Sequence, residues 1–298
     1  NPPIRGRLLD RNGVVLADNK LIYSLSIQPR LLTNSEWIDL RKTLSDLLNV
    51  SINQLENSFN RSNADTPYKK VLLSNLSVEQ VIRFKEQESK LYGAQIDIGL
   101  VRNYPYKSLA AHALGYTQLI TQNEFSELSE RGYKFSDRIG RKGIEAAFES
   151  ELRGKWGGEM LEIDAIGTVQ RSLGLKLPKA GKDIKLTLDF ELQRTAEKVL
   201  SDKVGGAIVA IDPRTGAIRA IASQPTFDLN FFSQPFTNQQ YDNLFVSLKR
   251  PLLSRAFNAY DPGSTWKPVT AIAGMESGKF PARQKLNTVP CITYGSHC

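Results

Sequence analysis

No stretch of this 298-residue chain approaches the roughly 18 consecutive apolar residues that read as a membrane span, and no signal peptide is visible. The chain begins Asn1-Pro2-Pro3, without a methionine, so the expectation is a trimmed or mature fragment with an anchor left out upstream. Sulfur is scarce: two cysteines and two methionines. Both cysteines, Cys291 and Cys298, fall in the last eight residues with His297 between them. Free thiols, a disulfide of an oxidising compartment, and a metal site completed by further ligands all fit that arrangement, and three readings stay open. Zinc-finger spacing, the aromatic signature of an RNA-binding sheet, dense basic tracts and internal repeats are also missing, which argues against nucleic acid as partner. Hydrophobic residues at 41% and charged residues at 23% exclude a disordered or fibrous chain.

What is present is a surplus of base. Lys plus Arg number 39 against 31 for Asp plus Glu, a net charge of +8. An anionic membrane face or a cell-wall polymer could use such a surplus, and a plain soluble basic surface accounts for it equally well.

The length suits two domains. Apolar arms surround Asn12-Gly13 over residues 8–16, a strong hairpin signal. Alternation over residues 21–28 predicts a strand, and Trp37, Leu40, Leu44, Leu47 and Leu48 mark a helix over 36–48. Ser51, Ser77 and Thr121, each followed three residues later by Gln or Glu, open three further helices. Strands are expected at 70–73 and 95–102, a helix at 143–152 and an extended stretch at 160–166. The mixture reads as an irregular α+β module over residues 1–182. Character changes near 178–182. A strand at 185–188, a helix at 190–200 capped by Asp189, and an apolar hairpin (207–211 and 217–222) about Asp212-Pro213-Arg214-Thr215-Gly216 open a second domain, 183–298. The hairpin is apolar enough to belong to a covered antiparallel sheet.

Chemistry concentrates at Pro262-Gly263-Ser264-Thr265-Trp266-Lys267-Pro268. Serine is a poor nucleophile until a neighbour takes its proton. Residues three apart on a helix share a face, so Lys267 is placed to serve Ser264. Pro268 is tolerated only in a first turn, so the helix should begin close to Ser264, with Gly263 turning the chain into it. The hydroxyl then sits in the positive field of a helix N-terminus. As a base Lys267 must be neutral, which calls for burial or a nearby cation. Trp266 and the apolar run 269–273 are the expected low-dielectric wall.

By itself Ser-x-x-Lys is a weak signal. The stretch Pro262-Gly263-Ser264-Thr265-Trp266-Lys267-Pro268-Val269-Thr270, however, resembles the active-serine motif of penicillin-binding proteins. The segment 206–230, with Ser223-Gln224-Pro225-Thr226-Phe227-Asp228, is similar to the opening hairpin of their transpeptidase domain. Three earlier boxes resemble the pedestal of class B members. They are Arg5-Gly6 with Asp10-Arg11, Gly13 and Leu16-Ala17; Arg102, Tyr104-Pro105 and His112-Ala113-Leu114-Gly115-Tyr116; and Gly140-Arg141-Lys142-Gly143-Ile144-Glu145 with Leu152-Arg153-Gly154. Their order is nearer the elongation-type penicillin-binding protein 2 group than the septal type.

That resemblance implies a membrane-anchored D,D-transpeptidase with its domains in the periplasm and no cofactor or metal. Its fold would be an irregular pedestal, of the dimerisation type, followed by the first part of a transpeptidase domain, an incomplete antiparallel sheet with helices on both sides. Ser264 would be the nucleophile, Lys267 the base of acylation and the Ser264 backbone N–H half of an oxyanion hole. Implied partners are peptidoglycan stem peptides, β-lactams, a membrane glycosyltransferase and elongation scaffold proteins. The family's Ser-x-Asn box and Lys-Thr-Gly strand do not occur after Ser264, so the chain as written is expected to be inactive or nearly so. A β-lactamase-like hydrolase and a non-catalytic docking module are the competing readings. Other tempting residues read as structural: His112 as a packed histidine, the Arg5, Asp10 and Arg11 cluster as an ion-pair and hairpin feature, and Glu145 with Glu149 as a solvated face beside Lys142 and Arg153.

Overall fold

One long strand organises the N-terminal part of the chain in the computed structural model, which describes residues 2–60, 69–163, 169–233, 236–283 and 285. The strands, in chain order, are β1 (Leu8–Leu9), β2 (Val15–Ile27), β3 (Lys70–Ser74), β4 (Ala94–Asn103), β5 (Thr117–Leu119), β6 (Arg138–Gly140), β7 (Gly158–Ile163), β8 (Val169–Lys176), β9 (Ile184–Lys185), β10 (Gly206–Ile211) and β11 (Ile218–Gln224). The 13-residue β2 pairs antiparallel with β4 from Asp18↔Asn103 to Ile27↔Ala94. Its start pairs with β1 and its far end with β3. β9 then joins β1 in parallel, which completes a five-stranded sheet. β5–β6, β7–β8 and β10–β11 are separate antiparallel hairpins.

The Asn-Gly turn forms where expected. Asp10 holds it, with Oδ1 accepting the N–H of Asn12 (2.7 Å) and of Val14 (2.8 Å). Burial alone would push the Asp10 carboxyl up, but these and further backbone N–H groups outweigh it and hold the group below the ordinary range. The hairpin's second arm and the strand expected at 21–28 are one continuous element, because β4 pairs along its length. Three helices, Asn34–Leu48, Val78–Gln87 and Gln122–Leu128, start at reciprocal capping boxes on Thr33, Ser77 and Thr121. A fourth, Ile52–Asn60, follows Ser51, whose hydroxyl accepts the Gln54 N–H. The buried faces of Asn34–Leu48 and Val78–Gln87, with Trp37, Leu40, Leu44, Leu48 and Phe84, pack with Leu25 and Ile27 of β2 in one core.

A second core is built from residues far apart in sequence. Leu8, Leu16, Tyr104, Leu114 and Leu152 pack with Leu188, Ile221, Phe227, Leu229 and Phe232. Polar contacts run along the same seam: Tyr104 N donates to Asn230 Oδ1 and Asn230 Nδ2 to Tyr104 O, both at 2.9 Å. Gly6 marks a close approach. A Cβ there would lie 1.9 Å from the Lys182 carbonyl oxygen.

Three expectations are corrected. The helix at 143–152 is two pieces, Gly143–Ala147 and Glu149–Leu152, because Phe148 leaves helical geometry at φ −111° and ψ 26°. The strand at 185–188 is limited to Ile184–Lys185; beyond it the Leu188 carbonyl accepts the Arg11 N–H and Asp189 N donates to Arg219 O. The 206–224 hairpin is covered unevenly. Ile208, Ala210, Ala220 and Ala222 face Ala196 and Leu200 of the helix Phe190–Leu200, whereas Val209 on the opposite face is 43% exposed. That helix is capped by Asp189, as expected. The expected extension over 164–166, the two cysteines and His297 lie outside the described residues.

By its contacts the chain divides into two units, Asn1–Ala256 and Phe257–Cys298. Among the described residues no helix is long and apolar enough to cross a membrane.

Candidate active site

In the second unit, Gly263 takes φ +52°, the left-handed conformation that glycine adopts without strain. A single 3₁₀ turn, Gly263–Trp266, leads into the helix Lys267–Glu276, with Pro268 in its first turn. The backbone N–H of Lys267 donates to the Ser264 carbonyl, so the two residues are the ends of one i→i+3 turn. In a 3₁₀ turn such positions eclipse, which stacks Ser264 and Lys267 on one face. Pro268 has no N–H, and in a first turn none is required. Thr265 Oγ1 donates back to the Pro262 carbonyl and Thr270 Oγ1 to the Trp266 carbonyl at 3.3 Å.

The expected low-dielectric wall is not formed by these residues. Ser264 and Lys267 are exposed, as are Trp266 (56%), Val269 (46%) and Ile272 (56%). A single helix cannot bury its own flanking side chains, so the turn brings the two residues to one face but does not give them a dry environment.

The first unit gathers the three pedestal boxes around one buried carboxylate. Glu145 is fully buried. Its Oε2 accepts Arg5 Nε at 2.7 Å and its Oε1 accepts Arg102 Nε at 2.6 Å. Arg5 Nη2 also pairs with Glu149 Oε2 at 2.7 Å, and Gly140 N donates to the same oxygen at 2.9 Å. The Tyr104 hydroxyl approaches Glu145 Oε1 at 3.4 Å; burial, with the Glu145 charge, pushes its pKa well up. The expectation of a solvated face at Glu145 and Glu149 is therefore wrong. Lys142 and Arg153 are near in sequence, but the true partners, Arg5 and Arg102, come from the other two boxes. Arg153 instead lies over the Tyr133 ring, 3.3 Å from its centroid.

The Arg5, Asp10 and Arg11 group is structural, as expected, though its members part company. Arg5 joins the buried cluster, Asp10 holds the turn, and Arg11 reaches Asp189 at 3.6 Å. His112 is packed edge-on to Phe227, with centroids 5.2 Å apart, and its Nε2–H donates to the Pro251 carbonyl at 2.7 Å. Burial lowers its pKa, opposed by the Pro251 carbonyl and aided by Arg255. Two bridging residues carried no sequence signal. Gln193 spans to β11, accepting the Ile221 N–H and donating to the Ile221 carbonyl, and Glu197 accepts the Ala110 N–H at 2.6 Å. Burial raises the Glu197 pKa. Among the described residues no group of three or more His, Cys, Asp or Glu side chains is placed to hold a metal ion.

Comparison with known proteins gives two family matches. Residues 1–186 match the penicillin-binding protein dimerisation domain and residues 206–297 the penicillin-binding protein transpeptidase domain. The chain is 34% identical over 279 residues to the peptidoglycan D,D-transpeptidase MrdA of Acinetobacter baumannii, covering 93% of this chain and 41% of that protein. It is likewise 34% identical over 284 residues to MrdA of Escherichia coli K12, covering 93% of this chain and 44% of that protein. The chain thus spans less than half the length of these curated relatives. Among solved structures it resembles PBP2 of Helicobacter pylori in complex with MreC, with a TM-score of 0.87 and 26% identity over 100% of this chain and 56% of that one.

Proposed function

This chain belongs to the penicillin-binding proteins that join a dimerisation domain to a transpeptidase domain, and from that premise we propose that it serves peptidoglycan D,D-transpeptidation, with Ser264 as nucleophile and Lys267 as its base. The observation that carries the reading is the single turn in which the Lys267 N–H bonds the Ser264 carbonyl, at the N-terminus of a helix and inside the matched transpeptidase segment.

Lys267, as the neutral amine, accepts the hydroxyl proton while Ser264 Oγ bonds to the carbonyl carbon of the penultimate D-alanine. The C–N bond to the terminal D-alanine breaks, and the proton passes to that leaving amine. An acceptor amine then attacks the ester, the C–Oγ bond breaks, and a cross-linking amide forms as Ser264 recovers a proton. Developing oxyanion charge lies at the helix N-terminus, where backbone N–H groups lack intrahelical partners. A β-lactam would acylate the same oxygen.

We assign residues 1–182 to the pedestal and 183–298 to the transpeptidase portion. The 298 residues contain no Ser-x-Asn box or Lys-Thr-Gly strand after Ser264, so this polypeptide alone should acylate poorly. Periplasmic placement next to a membrane anchor is part of the same proposal. So is docking of scaffold and synthase partners on the pedestal, a reading favoured by similarity to the PBP2–MreC complex and to a peptidoglycan synthase complex.

The test is labelling by a fluorescent penicillin. The gene's full product should label at one site, lost in Ser264→Ala and slowed in Lys267→Ala by about 10²-fold or more, the scale of general-base catalysis. Undiminished labelling of Ser264→Ala would refute the assignment. For the 298-residue polypeptide, labelling at the full product's rate would refute its predicted inactivity.

A further inference from the structure

The β7–β8 ribbon stands outside every core. Gly158–Met160, Glu162 and Arg171–Leu177 are all exposed, and none of them belongs to a hydrophobic cluster of the described residues. Apolar side chains are nonetheless concentrated on it: Leu173, Leu175 and Leu177 are 52%, 59% and 73% exposed. Leu173 is the bulged residue, passed over between the pairs Met160↔Gly174 and Leu161↔Ser172. Leu175 pairs in the ladder, and Leu177 follows the strand directly. A two-stranded hairpin is marginal in water, and a run of exposed leucines on one marks a surface that something covers.

Lysines collect at the ribbon's base. Lys155 and Lys179 exchange backbone N–H bonds at 2.7 and 2.9 Å, which closes the ribbon, and Lys176 pairs with Gly158 in the last step of the ladder. All three lysines are exposed, and no carboxylate pairs with any of them among the described residues. Of the ribbon's described carboxylates, Glu162 is held by Arg171, nearer the tip, and Glu159 lies opposite Leu175. Three lysines against Glu159 leave the base positive. The base also adjoins the beginning of the chain. Gly181 N donates to the Ile4 carbonyl at 2.8 Å, and a Cβ on Gly154 would lie 2.9 Å from Pro3 Cβ.

We propose that the base of the β7–β8 ribbon rests on an anionic lipid bilayer. Leu173, Leu175 and Leu177 enter the boundary between headgroups and acyl chains, and Lys155, Lys176 and Lys179 meet the lipid phosphates. The inference rests on the membrane placement proposed above, since residues leading from an upstream anchor pass this base first. Charge favours a bilayer over the other occupants. Lysine stems lie along apolar surface while their ammonium groups reach phosphate, so leucine and lysine side by side fit a lipid interface. A second copy meeting this patch about a two-fold axis would crowd the lysines of both copies into one interface.

Co-sedimentation of the 298-residue chain with vesicles of mixed phosphatidylglycerol and phosphatidylcholine, against phosphatidylcholine alone, tests it. The expected result is saturable binding, weaker by about 10-fold or more on the neutral vesicles, the scale of three lysines at a charged surface. Leu175→Ser and Leu177→Ser should each weaken it by about 10-fold, the scale of one leucine left in water. Leu248→Ser, at a leucine 98% exposed outside the ribbon, should leave it unchanged. The lipid comparison needs no variant, so it decides even if a substitution disturbs folding. No saturable binding, equal binding to neutral vesicles, or full binding by Leu175→Ser and Leu177→Ser would each overturn the proposal. So would self-association that these two substitutions abolish, because a second copy would then be the cover. Alkaline extraction of membranes carrying the gene's full product tests the anchor separately. A product that resists extraction, beside a 298-residue chain that ignores vesicles, sinks the ribbon contact and leaves the anchored placement standing.

Discussion

Replacing Glu145 by alanine leaves Arg5 and Arg102 buried with one carboxylate, Glu149, between them. The structure sets the magnitude. Glu145 is fully buried and the Arg102 side chain 1% exposed, so water cannot take over the lost contacts at 2.6 and 2.7 Å. Removing one partner of a buried pair costs about 3–5 kcal/mol, because an uncompensated charge remains. For a unit of this size each kcal/mol lowers Tm by about 2–4 °C, so a fall of about 6–20 °C is expected. Glu79→Ala is the control: its pair with Arg83 is exposed on both sides (74% and 49%), and such pairs are worth about 0.2–1 kcal/mol. Urea unfolding followed by circular dichroism measures both. If Glu145→Ala costs no more than Glu79→Ala, the buried cluster does not hold the three boxes together, and the reasoning fails.

Gly6→Ala should destabilise by about 1–3 kcal/mol, since its Cβ would meet the Lys182 carbonyl oxygen at 1.9 Å; wild-type Tm in this variant would contradict the close approach. Thr33→Ala removes a reciprocal cap and should cost about 1 kcal/mol by the same urea assay. His112 has a folded pKa below its ordinary 6.5, so the unfolded chain binds the proton more readily. Stability should therefore be intact above pH 6.5 and decline as pH falls toward the folded pKa. His112→Gln should flatten that slope, and an unchanged pH profile would count against the buried neutral ring. Asp10, with its pKa depressed, should lose its contribution on acidification below its ordinary 3.8. Asp10→Asn should make stability less acid-sensitive there while weakening the turn and the Phe190 N–H contact at 3.1 Å.

Local signals were legible in the residues alone. Ser77, Thr121 and Asp189 start their helices because a side-chain oxygen satisfies an N–H a few residues away, a contact that spacing alone specifies. Asn12-Gly13 turns the chain and Gly263 with Pro268 times the start of the helix Lys267–Glu276 for equally local reasons. The Ser264–Lys267 pair belongs to this class, since one turn brings both residues to one face. What the sequence misjudged was Glu145. Its neighbours Lys142 and Arg153 suggested a surface, yet its partners lie 140 and 43 positions away. Burial and charge pairing across such separations depend on how β1, β4 and the helix Gly143–Ala147 pack, and no local pattern encodes that. The same holds for Gln193 and Glu197, whose partners Ile221 and Ala110 lie 28 and 87 positions away. Sequence thus determined the helix starts at Ser77, Thr121 and Asp189, the Asn12-Gly13 turn and the Ser264–Lys267 spacing, because those rest on short-range geometry, and it pointed to the family through the resemblance of its motifs. Tertiary structure decided which charges are buried and which are paired, because desolvation and Coulomb energy depend on distances in space.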